Sequence, residues 1–408
     1  MPCILKKSSK NSPGIITFTH NEVLRGLPAR SKKIREFLTK MSKENKWIFG
    51  VHIQGNCQHM QYWPVSEWES FYMWGDIKNS KFLSNIQDAK IIPLTAEYFL
   101  PKNNIYNSKK KWDICIVSRP SKIKRIEETL YTIKELFKLK KDLKVIFIVP
   151  DPRIQSQGSR TYKLGIDEKF FKLPKLIFSC TELKNITFLS SSQESFGNFP
   201  IPHSFIQEII SRSKFIFINS YLEGGPRVLA EAFSLNVPCI VSNKLQSGLR
   251  SFFNEKNIIE VDDLPKVAAN QILSGLNNYK FFDFKYLNLE NMFNEEVNQR
   301  KLKELLEEKF LILKNNNSIW YLNDLLFRLP CHGYKNDMQF FYNENLFFEW
   351  IKGINNLNKE FSEDILFSEI TSKDKKKFSF FDIKEYLKGY FILPILNKIK
   401  KHLFKSII

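Results

Sequence analysis

Between residues 112 and 276 the chain alternates short, almost continuously apolar runs with longer segments of helical periodicity. The apolar runs are Asp113–Ser118, Lys144–Val149, Ile186–Ser190, Phe215–Asn219, Pro238–Ser242 and Asn257–Val261. Runs with so few polar positions fit strands covered on both faces. Between them, Lys124–Leu139, Ile206–Ser213, Val228–Leu235 and Leu264–Leu276 carry apolar residues at helical spacing. The alternation predicts a doubly wound parallel sheet, and such sheets bind ligands at the carboxyl ends of their strands.

The flanking regions read differently. Gly14–His20 and Lys46–His52 predict strands, Pro28–Lys43 a basic helix and Lys90–Thr95 a third strand, which together make a shorter α/β unit. A polar linker, Pro101–Lys111, follows it. After about Leu287 the pattern turns helical and aromatic, with Phe340, Phe341, Phe347, Phe348 and Trp350, and then closes in a basic tail. Three parts follow: residues 1–105, 106–285 and 286–408. A length of 408 residues suits that division, at about 150 residues per domain.

Composition narrows the function classes. The net charge of +19 raises nucleic acid, anionic lipid and phosphorylated ligands as partners. Most of that charge is spread along the chain as lysine, mixed with Asn, Ile and Phe in the manner of an AT-rich genome. The tight basic clusters do not interleave with aromatic residues, and no helix-turn-helix or zinc-finger spacing occurs, so no nucleic-acid partner is expected. The start of the chain lacks the apolar core of a signal peptide, and no apolar run nears the ~18 residues of a membrane span. A cytoplasmic protein is expected. The six cysteines are far apart, with no C-x-x-C pair, so neither a disulfide framework nor a zinc site is indicated.

The segment Asn219–Ser242 carries the chemistry. A strand ends near Asn219, a glycine turn follows, and Pro226 stands where a helix begins, a position that suits its preset φ. Asn236 and Pro238 end that helix. Its first free amides, at about residues 227 to 229 and so including Arg227 and Val228, form an anion site, and Gly224 and Gly225 let a diphosphate approach the backbone. Glu223 precedes the helix and Glu231 lies inside it, roughly 7.5 Å further along the axis. A nucleotide sugar spans a comparable line. With its diphosphate at the helix N-terminus, Glu231 would accept from the ribose and Glu223 from the sugar.

Glu223-Gly-Gly-Pro-Arg-Val-Leu-Ala-Glu231-Ala-Phe, followed by Asn-Val-Pro-Cys-Ile-Val-Ser, resembles the glutamate-x7-glutamate signature of retaining GT-B glycosyltransferases of the group 1 (family 4) type. Ile116-Val-Ser-Arg119-Pro-Ser-Lys-Ile-Lys124 is similar to the segment that opens the nucleotide-binding domain of that family. Here Ser118 stands for the usual glycine before the arginine and Arg125 for the one after the lysine. The resemblance covers residues 112 to 276. It implies a GT-B-like α/β fold of two Rossmann-type domains, the first one short, with a helical C-terminal extension. It implies a nucleoside diphosphate sugar as donor and a glycan or lipid-linked acceptor, in bacterial surface-polysaccharide or lipopolysaccharide assembly. Arg119 and Lys124 would contact the diphosphate, Glu231 the ribose and Glu223 the hexose, and cations on the leaving diphosphate would take the place of a metal. No Asp-x-Asp metal motif is present, and neither metal nor cofactor is expected.

The family's first domain often lends a histidine to the sugar site. His20 is the expected one and His52 the alternative, both at the ends of predicted strands. In the tail, Ile392, Leu396, Ile399, Leu403 and Ile407 recur on one side with lysines around them. That stripe would lie on an anionic membrane surface, making the protein peripheral on the inner face, or would pack back on the first domain. Two rival functions stay open: a non-catalytic GT-B-like protein that binds a nucleotide sugar or scaffolds an assembly, and a nucleotide-sugar epimerase.

Overall fold

A computed structural model of the protein describes residues 2–9, 11–53, 65–74, 86, 90–102, 109–118, 124–149, 172–190, 203–223, 226–247, 249–312, 319–330, 344–345 and 347–349. The first of its two main sheets holds β1 (Cys3–Lys6), β2 (Gly14–Thr19), β3 (Trp47–His52), β4 (Glu69–Met73) and β5 (Ile91–Ile92) in chain order. β1 runs antiparallel to β2, and the rest are parallel. β4 has no clear sequence signal because it opens on a carboxylate. Glu69 is buried there and accepts from the Tyr72 hydroxyl at 2.7 Å.

Three expectations for this half are corrected by local chemistry. The strand through His20 stops at Thr19, which forms a capping box with Glu22, so His20 opens α1 (His20–Arg25). The helix over Pro28–Lys43 is two, α2 (Leu27–Arg30) and α3 (Lys32–Lys43). Ser31 parts them, its extended backbone and side-chain oxygen capping α3 through the Ile34 amide at 3.2 Å. The strand over Lys90–Thr95 shrinks to Ile91–Ile92, since Pro93 has no amide to donate to the ladder.

The second sheet is the predicted one. β6 (Trp112–Val117), β7 (Val145–Val149), β8 (Ile186–Ser190), β9 (Ser213–Ile218), β11 (Cys239–Ser242) and β13 (Ile258–Val261) pair in parallel in the order β8-β7-β6-β9-β11-β13. A two-stranded ribbon of β10 (Leu222–Glu223) and β12 (Gln246–Ser247) stands apart. Its helices are α4 (Ile126–Leu139), α5 (Leu173–Ile177), α6 (Cys180–Leu183), α7 (His203–Ser211), α8 (Arg227–Ser234) and α9 (Pro265–Asn277). The earliest strand, β6, lies inside the sheet, with β7 and β8 on one side and β9, β11 and β13 on the other. The winding therefore reverses between β6 and β9, which is where such sheets open a ligand crevice.

Two apolar clusters hold this sheet. Ile133, Leu136, Ala269 and Ile272 of α4 and α9 bury against Ile114, Phe147 and Phe215. The other cluster, with Ile216, Leu229, Phe233 and Val241, continues into Ile15, Ile48, Phe71 and Ile92 of the first sheet. Each such side chain contributes about 1.5–3 kcal/mol when fully buried. Close approach matters within the first sheet: a Cβ on Gly50 would stand 2.2 Å from the Phe71 ring.

After the second sheet the chain forms α10 (Leu289–Met292), α11 (Glu295–Lys309) and α12 (Leu325–Arg328). Leu100 donates to Phe293 at 2.9 Å and accepts from Glu295 at 2.8 Å, which fastens this region beside the first sheet. Residues 319–330 run along the edge of β1, where the Tyr321 amide donates to the Leu5 carbonyl at 2.9 Å and Arg328 to the Ile4 carbonyl at 2.7 Å. An exposed edge strand is thereby covered. Met1–Phe347 pack as one unit and Phe348–Ile408 as another, of which only Phe348 and Glu349 are described. The amphipathic tail, with Phe340, Phe341 and Trp350, lies outside the described residues. Among the described residues no helix is long and apolar enough to cross a membrane.

Candidate functional site

β6 and β9 flank the reversal, and the segments that follow them deliver two charges to one place. The chain re-emerges after β6 at Lys124. After β9 it runs through Asn219 and Ser220 to Glu223 at the end of β10, whose backbone is fixed by parallel pairing of Glu223 with Ser247. The Lys124 ammonium forms an ion pair and hydrogen bond with Glu223 Oε1. Glu223 is only 8% exposed, so this lysine supplies the counter-charge that a buried carboxylate needs.

α8 begins directly behind Glu223. Pro226 has the expected φ of −65°, but its ψ of 107° makes it the N-cap, and the helix opens at Arg227. The Leu229 amide donates to the Pro226 carbonyl at 2.8 Å, which removes it from the expected anion site. The Arg227 and Val228 amides stand ahead of it, with no carbonyl of their own helix within reach. The Arg227 guanidinium reaches α12, donating to the Leu326 carbonyl at 3.2 Å and lying over the Phe327 ring at 5.3 Å. Asn236, at φ 53°, closes the helix as expected.

Glu231 lies on the buried side of α8 and is 2% exposed. Its Oε1 is 2.6 Å from Nε2 of His203, the first residue of α7, whose ring also meets Phe327 edge-on. The sequence reading misses His203, which stands 28 positions before its partner in an Ile-Pro-His segment without a motif. The only signal is negative: the helix expected from Ile206 starts at His203.

Arg125 follows Lys124 directly. Its φ of 49° is left-handed, the conformation for which glycine is suited. The side chain is tied down on three sides. Nη1 donates to Asp263 Oδ1 at 2.7 Å and to Asn219 Oδ1 at 3.2 Å, and the guanidinium stacks 3.9 Å above Tyr221. Burial pushes the Asp263 carboxyl up, but hydrogen bonds from Lys244, Arg125 and Tyr221 outweigh it and hold the group below its ordinary range.

On the first sheet's side, His20 is buried at the start of α1, beside Thr19, whose Cα partner across the ladder is His52. His52 is buried too, and its Nε2 accepts from the Ala96 amide at 3.3 Å. The histidine at the end of β3 thus braces a backbone turn. Arg119, Gly224 and Gly225 lie outside the described residues. Among the described residues no three His, Cys, Asp or Glu side chains gather as a metal cage requires.

No protein-family model matches the chain, and no curated protein matches it in sequence. Solved structures do resemble it. The pneumococcal O-GlcNAc transferase GtfA in complex with UDP and GlcNAc is 14% identical over 68% of this chain and 60% of its own, with a TM-score of 0.48. TarM is 14% identical over 68% and 46%, at 0.44, and OtsA 10% identical over 68% and 71%, at 0.42. The chain spans about half to three fifths of the first structures it matches.

Proposed function

We propose that the protein is a GT-B glycosyltransferase that moves a sugar from a nucleoside diphosphate sugar to an acceptor hydroxyl with retention and without a metal. One observation carries the reading: Lys124 and Glu223, from the segments after β6 and β9, meet at the point where the sheet reverses. A diphosphate is the ligand that would draw Lys124 away from Glu223. The lysine would then stabilise the departing nucleoside diphosphate, and the freed carboxylate would accept from the sugar as positive charge develops at its anomeric carbon. The Arg227 and Val228 amides at the head of α8 suit the phosphates, and Glu231 suits the ribose. The acceptor hydroxyl would attack from the face the leaving group departs, on the side of residues 1–105. Residues 106–285 would hold the donor, and the basic tail would lie on the inner membrane face, where a lipid-linked glycan is extended.

The test is release of nucleoside diphosphate from a panel of UDP and GDP sugars by the purified chain. Native protein is expected to release it, and Glu223→Ala and Glu231→Ala are each expected to slow release about a hundredfold. Native rates in both variants would overturn the assignment. A second reading, a protein that binds a nucleotide sugar without turning it over, is favoured by the internal partners both glutamates already hold. Donor binding by calorimetry without hydrolysis or transfer would select it.

A further inference from the structure

The last strand of the first sheet leads into a turn that carries a further carboxylate and packs against α8. After β5 the chain passes Thr95 and makes a single tight turn, Ala96–Tyr98. Several contacts fix that turn: the Ala96 amide donates to His52 Nε2 at 3.3 Å, the Asn298 side chain donates to the Tyr98 carbonyl at 2.7 Å, and the Tyr98 ring packs on Phe293 and Phe252. The turn also packs against both α8 and α12, the two helices that Arg227 bridges. Glu97 stands in the middle of it. Its carboxyl interacts with Thr95 and lies close enough to Arg227 and Glu223 to feel both charges.

We propose that Glu97 is a further ligand-contacting residue of the site, hydrogen-bonding a hydroxyl of the same hexose that Glu223 contacts. This rests on the donor reading above. A pyranose carries hydroxyls around its whole ring, and carboxyl groups supplied from two sheets can meet it from two sides. The turn's bracing by His52 and Asn298 presets Glu97, so little side-chain freedom is lost on binding. Burial pushes the Glu97 carboxyl up, and the Glu223 charge adds to this against Thr95 and Arg227.

Glu97 carries no motif in the sequence, standing in Thr-Ala-Glu just beyond a strand cut short by Pro93.

Isothermal titration with UDP and GDP, and with UDP-glucose, UDP-N-acetylglucosamine and GDP-mannose, tests the proposal on the full chain. Glu97→Ala is expected to weaken the bound sugar nucleotide about tenfold while leaving the matching free diphosphate within about twofold. Glu97→Gln keeps the shape and the hydrogen bond and is expected to recover native affinity to within about threefold, which also serves if the alanine variant folds poorly. Unchanged affinity for the sugar nucleotide in Glu97→Ala overturns the proposal, and so does equal loss for the sugar nucleotide and the free diphosphate in both variants. If the native chain binds none of the nucleotides, the donor reading fails and this proposal falls with it. Native binding with indifferent variants sinks the proposal alone.

Discussion

His203 Nε2 lies 2.6 Å from Glu231 Oε1, and the two residues come from the starts and middles of different helices, α7 and α8. The carboxylate is buried, and its Oε1 has the imidazole as partner. Removing the imidazole leaves a buried acceptor without that hydrogen bond, a loss of about 1–3 kcal/mol. His203→Ala is therefore expected to lower stability in urea by that amount, and a double-mutant cycle with Glu231→Gln to show coupling between the two sites. Additive effects in the cycle would mean that the pair contributes nothing as a pair.

Lys124 and Glu223 satisfy each other, so a diphosphate must compete with Glu223 for the ammonium. Glu223→Gln removes that competitor. It is expected to tighten binding of a free nucleoside diphosphate by a few-fold, on the order of 1 kcal/mol, while slowing turnover about a hundredfold, as in Glu223→Ala. Calorimetry with UDP and GDP, beside the release assay, reads both effects. Weaker diphosphate binding in this variant would show that Lys124 does not serve the phosphates.

Arg125 offers a comparison in which strain can be isolated. Both Arg125→Gly and Arg125→Ala lose the contacts to Asp263, Asn219 and Tyr221, but only alanine keeps a Cβ at φ 49°. The glycine variant is expected to be about 1 kcal/mol more stable than the alanine variant, by thermal or urea unfolding. Equal stabilities would mean that the loop relaxes out of the left-handed region.

Lys110 gives a stability that depends on pH. Its ammonium donates to the Ser211 carbonyl at 2.8 Å, and burial lowers its pKa from 10.5 to about 8. Between those values the unfolded chain holds a proton that the folded chain has released, so stability rises with pH across the window. Lys110→Met removes this contribution. The native protein is expected to gain in melting temperature relative to the variant from pH 8 to pH 10, and parallel curves would refute the assignment. Above that range Tyr279 works in the opposite sense, since burial raises its pKa from 10 to about 12 and its stabilising effect fades as pH rises.

Glu97 should carry a stability cost at neutral pH. A carboxyl raised by burial favours folding least once it ionises, so its penalty is absent in acid and grows as pH rises through its folded pKa. Glu97→Gln is expected to raise the melting temperature at pH 7 to 8, with the gain shrinking toward pH 4. A gain that is constant with pH would point to packing rather than to charge.

By itself the sequence determined what local periodicity can encode. The six strands of the second sheet and α4, α7, α8 and α9 follow from apolar runs and helical spacing, and the start of α8 just after Pro226 follows from proline, whereas α5, α6 and the β10–β12 ribbon carry no such signal. Glu223 at the end of β10 and Glu231 inside α8 could be placed on their elements from the sequence because the two elements are near neighbours in the chain. Short-range chemistry unread at the sequence level moved the remaining boundaries: the capping box at Thr19, the cap at Ser31 and the missing amide of Pro93.

Tertiary structure alone decided the partners. Lys124 meets Glu223 across 99 positions, His203 meets Glu231 across 28, and the turn that carries Glu97 packs against α8 from residues more than a hundred positions away. Such meetings depend on strand order and on which faces pack, and neither leaves a periodic trace in the residues themselves. A buried carboxylate must find a cation or a donor somewhere, and only the folded chain specifies which one.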